Sequence, residues 1–275
     1  MRFSNTKQAG FTLIELAVVL LILGALFAGI IVPFTTQIEL RRVSETQKTL
    51  EEIREALLGF AAAHGRLPCP AAPNTTGAES KVPAGANTDK LGNCTNFWDG
   101  FVPGTTLGIG PTDASGYILD AWNNRIRYAV SDSDHSTGGS AAANTYKDFT
   151  GEGATVGSTS EMRNVGMATL TPDLKVCSTV TGSTATACAV GSSLVDTAVA
   201  VIYSTGPNTT QPDTGGTRTD ENANPNPNTA GAANRVFVSH ERAGPGARNG
   251  EFDDIVIWLS PNILYAKMIS AGRLP

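Results

Sequence analysis

Glu15 is the residue whose placement first calls for chemistry. It lies in QAGFTLIELAVVLLILGALFAGIIVPF, residues 8–34, and from Leu16 to Phe34 no residue is charged. A carboxylate inside an apolar span costs about 2.5–3.5 kcal/mol and marks a functional position that needs a partner. No Lys or Arg follows it within two helical turns. The nearest positive charge is an α-amino group on Phe11, released if the chain is cut after Gly10. In its own helix that amine points away from Glu15, so a neighbouring copy supplies the better partner.

Other chemistry is sparse. His64, His135 and His240 are far apart and sit in no metal motif such as H-E-x-x-H. There is no G-x-S-x-G elbow, phosphate-binding loop or cofactor fingerprint, so the chain reads as no enzyme. Cys69 and Cys94 bracket one loop, and Cys177 and Cys188 bracket STVTGSTATA. Four cysteines allow three pairings. An oxidising compartment and local pairing give Cys69–Cys94 and Cys177–Cys188. The absence of C-x-x-C argues against zinc or redox catalysis.

The elements that position these residues follow from composition and period. The chain has 275 residues, a net charge of −5 and only 16% charged residues, with 29 glycines. That fits one anchor and one loop-rich extracytoplasmic domain, and the charge argues against nucleic-acid binding. Arg2 and Lys7 form a positive flank without acids. Small residues, Ala9 and Gly10, precede the apolar run instead of following it, the inverse of a secretory signal. With Phe11 to Ile14 included, the run reaches the roughly 20 residues of a membrane span, and the basic flank keeps the N-terminus cytoplasmic.

Gly10-Phe11-Thr12-Leu13-Ile14-Glu15, behind a short basic leader and before an apolar run, resembles the prepilin cleavage and N-methylation motif of type IV pilins and type II secretion pseudopilins. The resemblance implies cleavage after Gly10 by a prepilin peptidase, methylation of the Phe11 amine, and pairing of Glu15 with the N-terminus of a neighbouring subunit. Cleavage removes Arg2 and Lys7 and makes the chain two charges more negative. Pro33 lies one residue later than is usual in such helices; a kink at the membrane exit and a hinge for filament stretching both remain open.

Beyond the span, Val43, Leu50, Leu57 and His64 repeat every seven residues, with Ile53 and Phe60 between them and charges elsewhere. This is an amphipathic helix that docks on a globular domain and ends at Gly65 and Pro68. From Phe11 to His64 it is about 80 Å long. Residues 71–96, 131–160 and 204–234 read as long loops. Strands are expected at 125–130, 198–204, 235–240 and 254–260, and a short helix after Pro261 that stops at Gly272. The fold is therefore α+β, with the long helix laid on a small antiparallel sheet. The expected divisions are a leader (1–10), the membrane and assembly half of the helix (11–34), its amphipathic half (35–64) and a periplasmic domain (65–275).

The family likeness extends into that domain. Asp120-Ala121-Trp122-Asn123-Asn124 with Arg127-Tyr128 is similar to the Asp-Pro-Trp-Gly…Tyr segment of major pseudopilins. Tyr203 to Asn208 is similar to their Ser-x-Gly-x-Asp-Gly turn, and Asp253-Asp254-Ile255 to the acidic pair after it. Ala121, Asn123 and Asn208 depart from that pattern, and the chain is longer than a major subunit, which points to a minor one. Trp122 is expected in the core. The resemblance implies calcium as the one cofactor, held by Asp253, Asp254 and Asn208, with Asp213, Asp220 or Glu221 adding oxygens. The alternative is that Asp253 and Asp254 close a turn and face solvent beside Arg242 or Arg248.

Implied partners are other pilin or pseudopilin subunits, the prepilin peptidase, an inner-membrane assembly platform and the membrane. The implied place is the bacterial inner membrane, single-pass, with the C-terminal domain periplasmic. A minor filament subunit is the leading function. A pilus-tip adhesin using the long polar loops and a membrane-anchored enzyme are the alternatives.

Overall fold

The computed structural model describes residues 10–73, 76–81, 94–132, 149–151, 162–208, 220–224 and 235–274, without the side chains of 26–35 and Asn164. Most of the three expected long loops, with Asp213 and His135, lies outside these residues, as does Pro33's side chain. The chain divides into two compact units, 1–44 and 45–275.

The first helix, α1 (Leu13–His64), starts two residues later than expected, and the reason is local. Thr12 and Glu15 form a reciprocal capping box: the Thr12 N–H and hydroxyl both donate to Glu15 Oε2, at 3.0 and 2.9 Å, and the Glu15 N–H donates to Thr12 Oγ1 at 3.3 Å. In the first unit Phe11, Leu13 and the apolar residues to Leu23 are exposed, Leu13 at 89%. Among the described residues no helix is long and apolar enough to cross a membrane; the expected span continues into 26–35, whose side chains are outside the description.

Within the second unit the buried stripe of α1 is Thr46, Leu50, Ile53, Leu57 and Ala61. Three- and four-residue steps keep these on one face. Val43 and Phe60 are only half-buried and His64 is exposed, so the seven-residue series drifts off the core. That drift follows from 3.6 residues per turn, which rotates a strict heptad by about 20° per repeat. Gly65, at φ 75°, ends the helix, its N–H donating to the Ala61 carbonyl at 2.8 Å.

The strands form two sheets instead of the one expected, within an α+β fold. The larger is antiparallel, in the order β1 (Gly100–Phe101), β2 (Arg127–Val130), β5 (Ala200–Ser204), β7 (Ile255–Leu259). β5 is buried along its whole length, which suits a central strand covered on both faces. The smaller sheet runs β4 (Ser193–Ala198), β3 (Leu174–Cys177), β6 (Val236–Val238). β6 pairs parallel to β3, so it leaves the antiparallel sheet in which the sequence placed it. A parallel pair needs a crossover connection, and the chain between β3 and β6 is long enough to make one. Two four-residue helices, α2 (Gly104–Leu107) and α3 (Met162–Val165), complete the loops, and α4 (Pro261–Ser270) closes the chain with Pro261 at its first position.

Both local cysteine pairs are bridged, Cys69–Cys94 with Cα atoms 5.2 Å apart and Cys177–Cys188 with Cα atoms 5.6 Å apart. Beside the first, Glu79 accepts from both Arg66 guanidinium nitrogens at 2.8 Å and from the Cys69 N–H at 3.1 Å. Burial raises the Glu79 carboxyl, but Arg66, Lys81 and the Cys69 N–H outweigh it and hold the group below its ordinary value.

Candidate functional site: a buried acidic cluster

A relay of turns leads from the larger sheet to three buried carboxylates. It begins at 120–124. Asp120 Oδ1 accepts from the N–H groups of Trp122 and Asn124 at 2.9 and 2.8 Å, and Oδ2 accepts the Ser204 hydroxyl at 2.6 Å. Asn123 sits at φ 66°, a conformation that Asn tolerates and glycine otherwise supplies. Trp122 is half-buried, not core, and Trp98 is the buried tryptophan.

The Asn124 amide then donates to the Gly206 carbonyl at 2.6 Å. Gly206, at φ 66°, must be glycine for a second reason: a Cβ there would lie 2.6 Å from the carboxyl carbon of Asp253. The first turn thus holds the second, and the second lies against the acidic pair.

Asp253 and Asp254 precede β7 and are each only 4% exposed, so they do not face solvent. Glu221, in a 3-10 turn at Glu221–Ala223, is 6% exposed. One oxygen from each of the three acids lies within 4.8 Å of the others. Asp254 Oδ2 accepts from the Asn224 amide at 2.7 Å, while Oδ1 is buried with no hydrogen-bond partner among the described residues. Burial drives the Asp254 carboxyl well above its ordinary value, with Glu221 and Asp253 adding to it and Asn224 opposing. Burial, together with the hydrogen bond and charge of Asp253, pushes Glu221 up to about 7, against the Asn208 amide that pulls it down.

The structure therefore brings together Asp253, Asp254, Glu221 and Asn208. It separates Asp220, which the sequence offered as a fourth acid. Asp220 turns the other way, accepting from the Val180 N–H at 2.6 Å, the Thr179 hydroxyl at 2.9 Å and the Asn249 amide at 2.9 Å. Neighbouring residues in a tight turn point in different directions, and no spacing rule in a Gly/Asn-rich segment foretells which. Asn224 is the residue that sequence reasoning missed; its amide also donates to the Val238 carbonyl and its oxygen accepts the Val238 N–H. Hard, all-oxygen donors with an orphaned buried carboxylate oxygen fit a divalent cation such as calcium. No sulfur or imidazole lies in this set to favour a softer metal.

Glu15 and the Gly10–Phe11 junction occupy the other unit. No curated protein and no solved structure matches the chain. Residues 5–31 match the family model described as the prokaryotic N-terminal methylation motif, so the chain carries the prepilin-type N-terminal signature of pilins and pseudopilins.

Proposed function

We propose that this protein is a minor structural subunit of a type IV pilus-like or type II secretion pseudopilus filament. A prepilin peptidase cuts after Gly10, the new Phe11 amine is methylated, and the apolar part of α1 holds the subunit in the inner membrane before packing it among other subunits. The domain from residue 65 onward faces the periplasm. The observation that carries this reading is the lone Glu15 one turn inside an exposed apolar helix, directly behind the Gly10–Phe11 junction and within the matched 5–31 segment.

Glu15 has a local role in the separate chain, where it caps its own helix. The capping bonds come from the neutral N–H and hydroxyl of Thr12. In low-dielectric surroundings a charge-paired state is favoured over a merely hydrogen-bonded one. A Phe11 amine from the next subunit supplies that charge. Glu15→Ala tests it: the variant should enter the membrane at least as well as wild type yet fall out of sheared filament fractions. Equal incorporation of the two would refute the role.

Calcium at Asp253, Asp254 and Glu221, with Asn208 beside them, is the second part of the proposal. One ion would replace mutual repulsion among three buried carboxylates by attraction, and so fix the turn at 221–223 against β7. A filament-tip binding module remains the second reading. It draws support from the exposed, nearly uncharged surface of 184–187 and 193–197, where Asp196 is the one ionic residue.

A further inference from the structure

The 3-10 turn that carries Glu221 has a second set of attachments, on the side away from the acidic cluster. Asp220 precedes it and receives the Val180 N–H and the Thr179 hydroxyl on Oδ1, and the Asn249 amide on Oδ2, with His240 Nε2 at 3.3 Å. Val180 stands at the root of the hairpin closed by Cys177–Cys188. Its carbonyl accepts the Ser183 N–H at 2.9 Å, and the Ser183 hydroxyl accepts the Ala189 N–H at 3.0 Å. Ala223, inside the turn, packs with Val180, Val238 and Phe252 in a small apolar cluster. Asn224, after it, grips both polar groups of the Val238 backbone and Asp254 Oδ2. Five residues, 220–224, thus touch the hairpin, β6 and the acidic cluster at once.

We infer that a divalent cation at Glu221, Asp253 and Asp254 acts as a clamp on the disulfide-closed hairpin, transmitted by Asp220, so that presentation of the hairpin and of β4 depends on the ion. This rests on the cation reading above. The segment has little apolar surface of its own to hold it, with Ala223 its one hydrophobic residue. The hydrogen bonds of Asp220 and Asn224 seat it. An ion shared by Glu221, Asp253 and Asp254 would add a tether on the other side of the turn whose first residue holds the Val180 N–H. What the clamp positions is surface: Thr184 to Ala187, Val190, Ser193, Leu194, Asp196 and Thr197 are exposed, and among the described residues β4 is the edge of its sheet, bonded to β3.

Hydrogen exchange on the full-length chain in detergent, with calcium or with chelator, tests the clamp, alongside calcium binding measured by calorimetry. In wild type, calcium should slow exchange of the Val180 amide and of 193–198 by about tenfold or more. Asp254→Asn should abolish calcium binding and the slowing together. Asp220→Asn should still bind calcium while the hairpin amides stop responding; Thr179→Ala, which removes one bond and leaves the acids untouched, should give part of that loss. If calcium binds and exchange over 179–198 does not change, the clamp is overturned and the cation site stands. If calorimetry detects no binding, the cation site fails and the clamp with it.

Discussion

Glu79 and Asp254 are both carboxylates withdrawn from solvent, and their surroundings treat them in opposite ways. Glu79 lies against Arg66 and Lys81 and is held below its ordinary value; Asp254 lies against Glu221 and Asp253 and is driven well above it. The first site carries its counter-charge in the chain and works as a structural staple at the end of α1, beside the Cys69–Cys94 bridge. The second gathers like charges, and burial makes that arrangement costly unless a cation joins it. Glu15 is a third case, exposed on an apolar helix and hydrogen-bonded to Thr12. The difference separates a carboxylate that stabilises the fold from two for which a partner is proposed, an ion for one and another subunit for the other.

The strongest way to break the comparison is at the N-terminus. Gly10→Glu should block processing outright, leave no Phe11 amine for Glu15 to meet, and remove the protein from filaments; an immunoblot of membrane and filament fractions reads both. Next in size is Glu79→Gln, which removes the buried charge that faces Arg66 and should cost about 3 kcal/mol in chemical unfolding. The pH dependence has a definite sign. Because the folded Glu79 value is lowered, its contribution is fully present above the ordinary 4.5 and is lost as pH falls through the folded value. The variant should lack that acid-side loss.

Asp254→Asn should behave differently. It removes a like charge, so the calcium-free midpoint should hold or rise, while the calcium response disappears. In wild type, calcium at a hundred times its Kd should add about 2.7 kcal/mol, roughly 5–10 °C for a domain of this size. Thermal melts with calcium and with chelator measure both arms, and an unchanged wild-type midpoint would count against the site. The smallest effect is Thr12→Val, which removes the two hydroxyl bonds of the capping box and should lower α1's N-terminal stability by about 1 kcal/mol. Amide exchange over the first turn would report it, and incorporation into filaments should be preserved, because the Glu15 carboxylate is still present.

Local features were legible in the sequence and distant ones were not. Gly10 to Glu15 is contiguous, so its chemistry can be read without a fold. The strands at 125–130, 198–204 and 254–260 are apolar or β-branched runs, and the structure has β2, β5 and β7 within them. The second sheet escaped because LKVC and SLVDTA are short, and β4 is exposed at Ser193, Leu194, Asp196 and Thr197, so it shows no alternation. β6 looked like one more antiparallel strand, since its pairing with β3 is fixed by tertiary contacts and not by its own residues. In the acidic cluster, Asp253 and Asp254 stood out as a pair. The choice of Glu221 over Asp220 is set by the local direction of one 3-10 turn, which composition does not encode.

The most direct test of the central claim is the N-terminal peptide mass of the protein recovered from sheared filaments. The account predicts a chain that begins at Phe11 and carries one methyl group on its amine. A chain recovered from assembled filaments that begins at Met1 would contradict it.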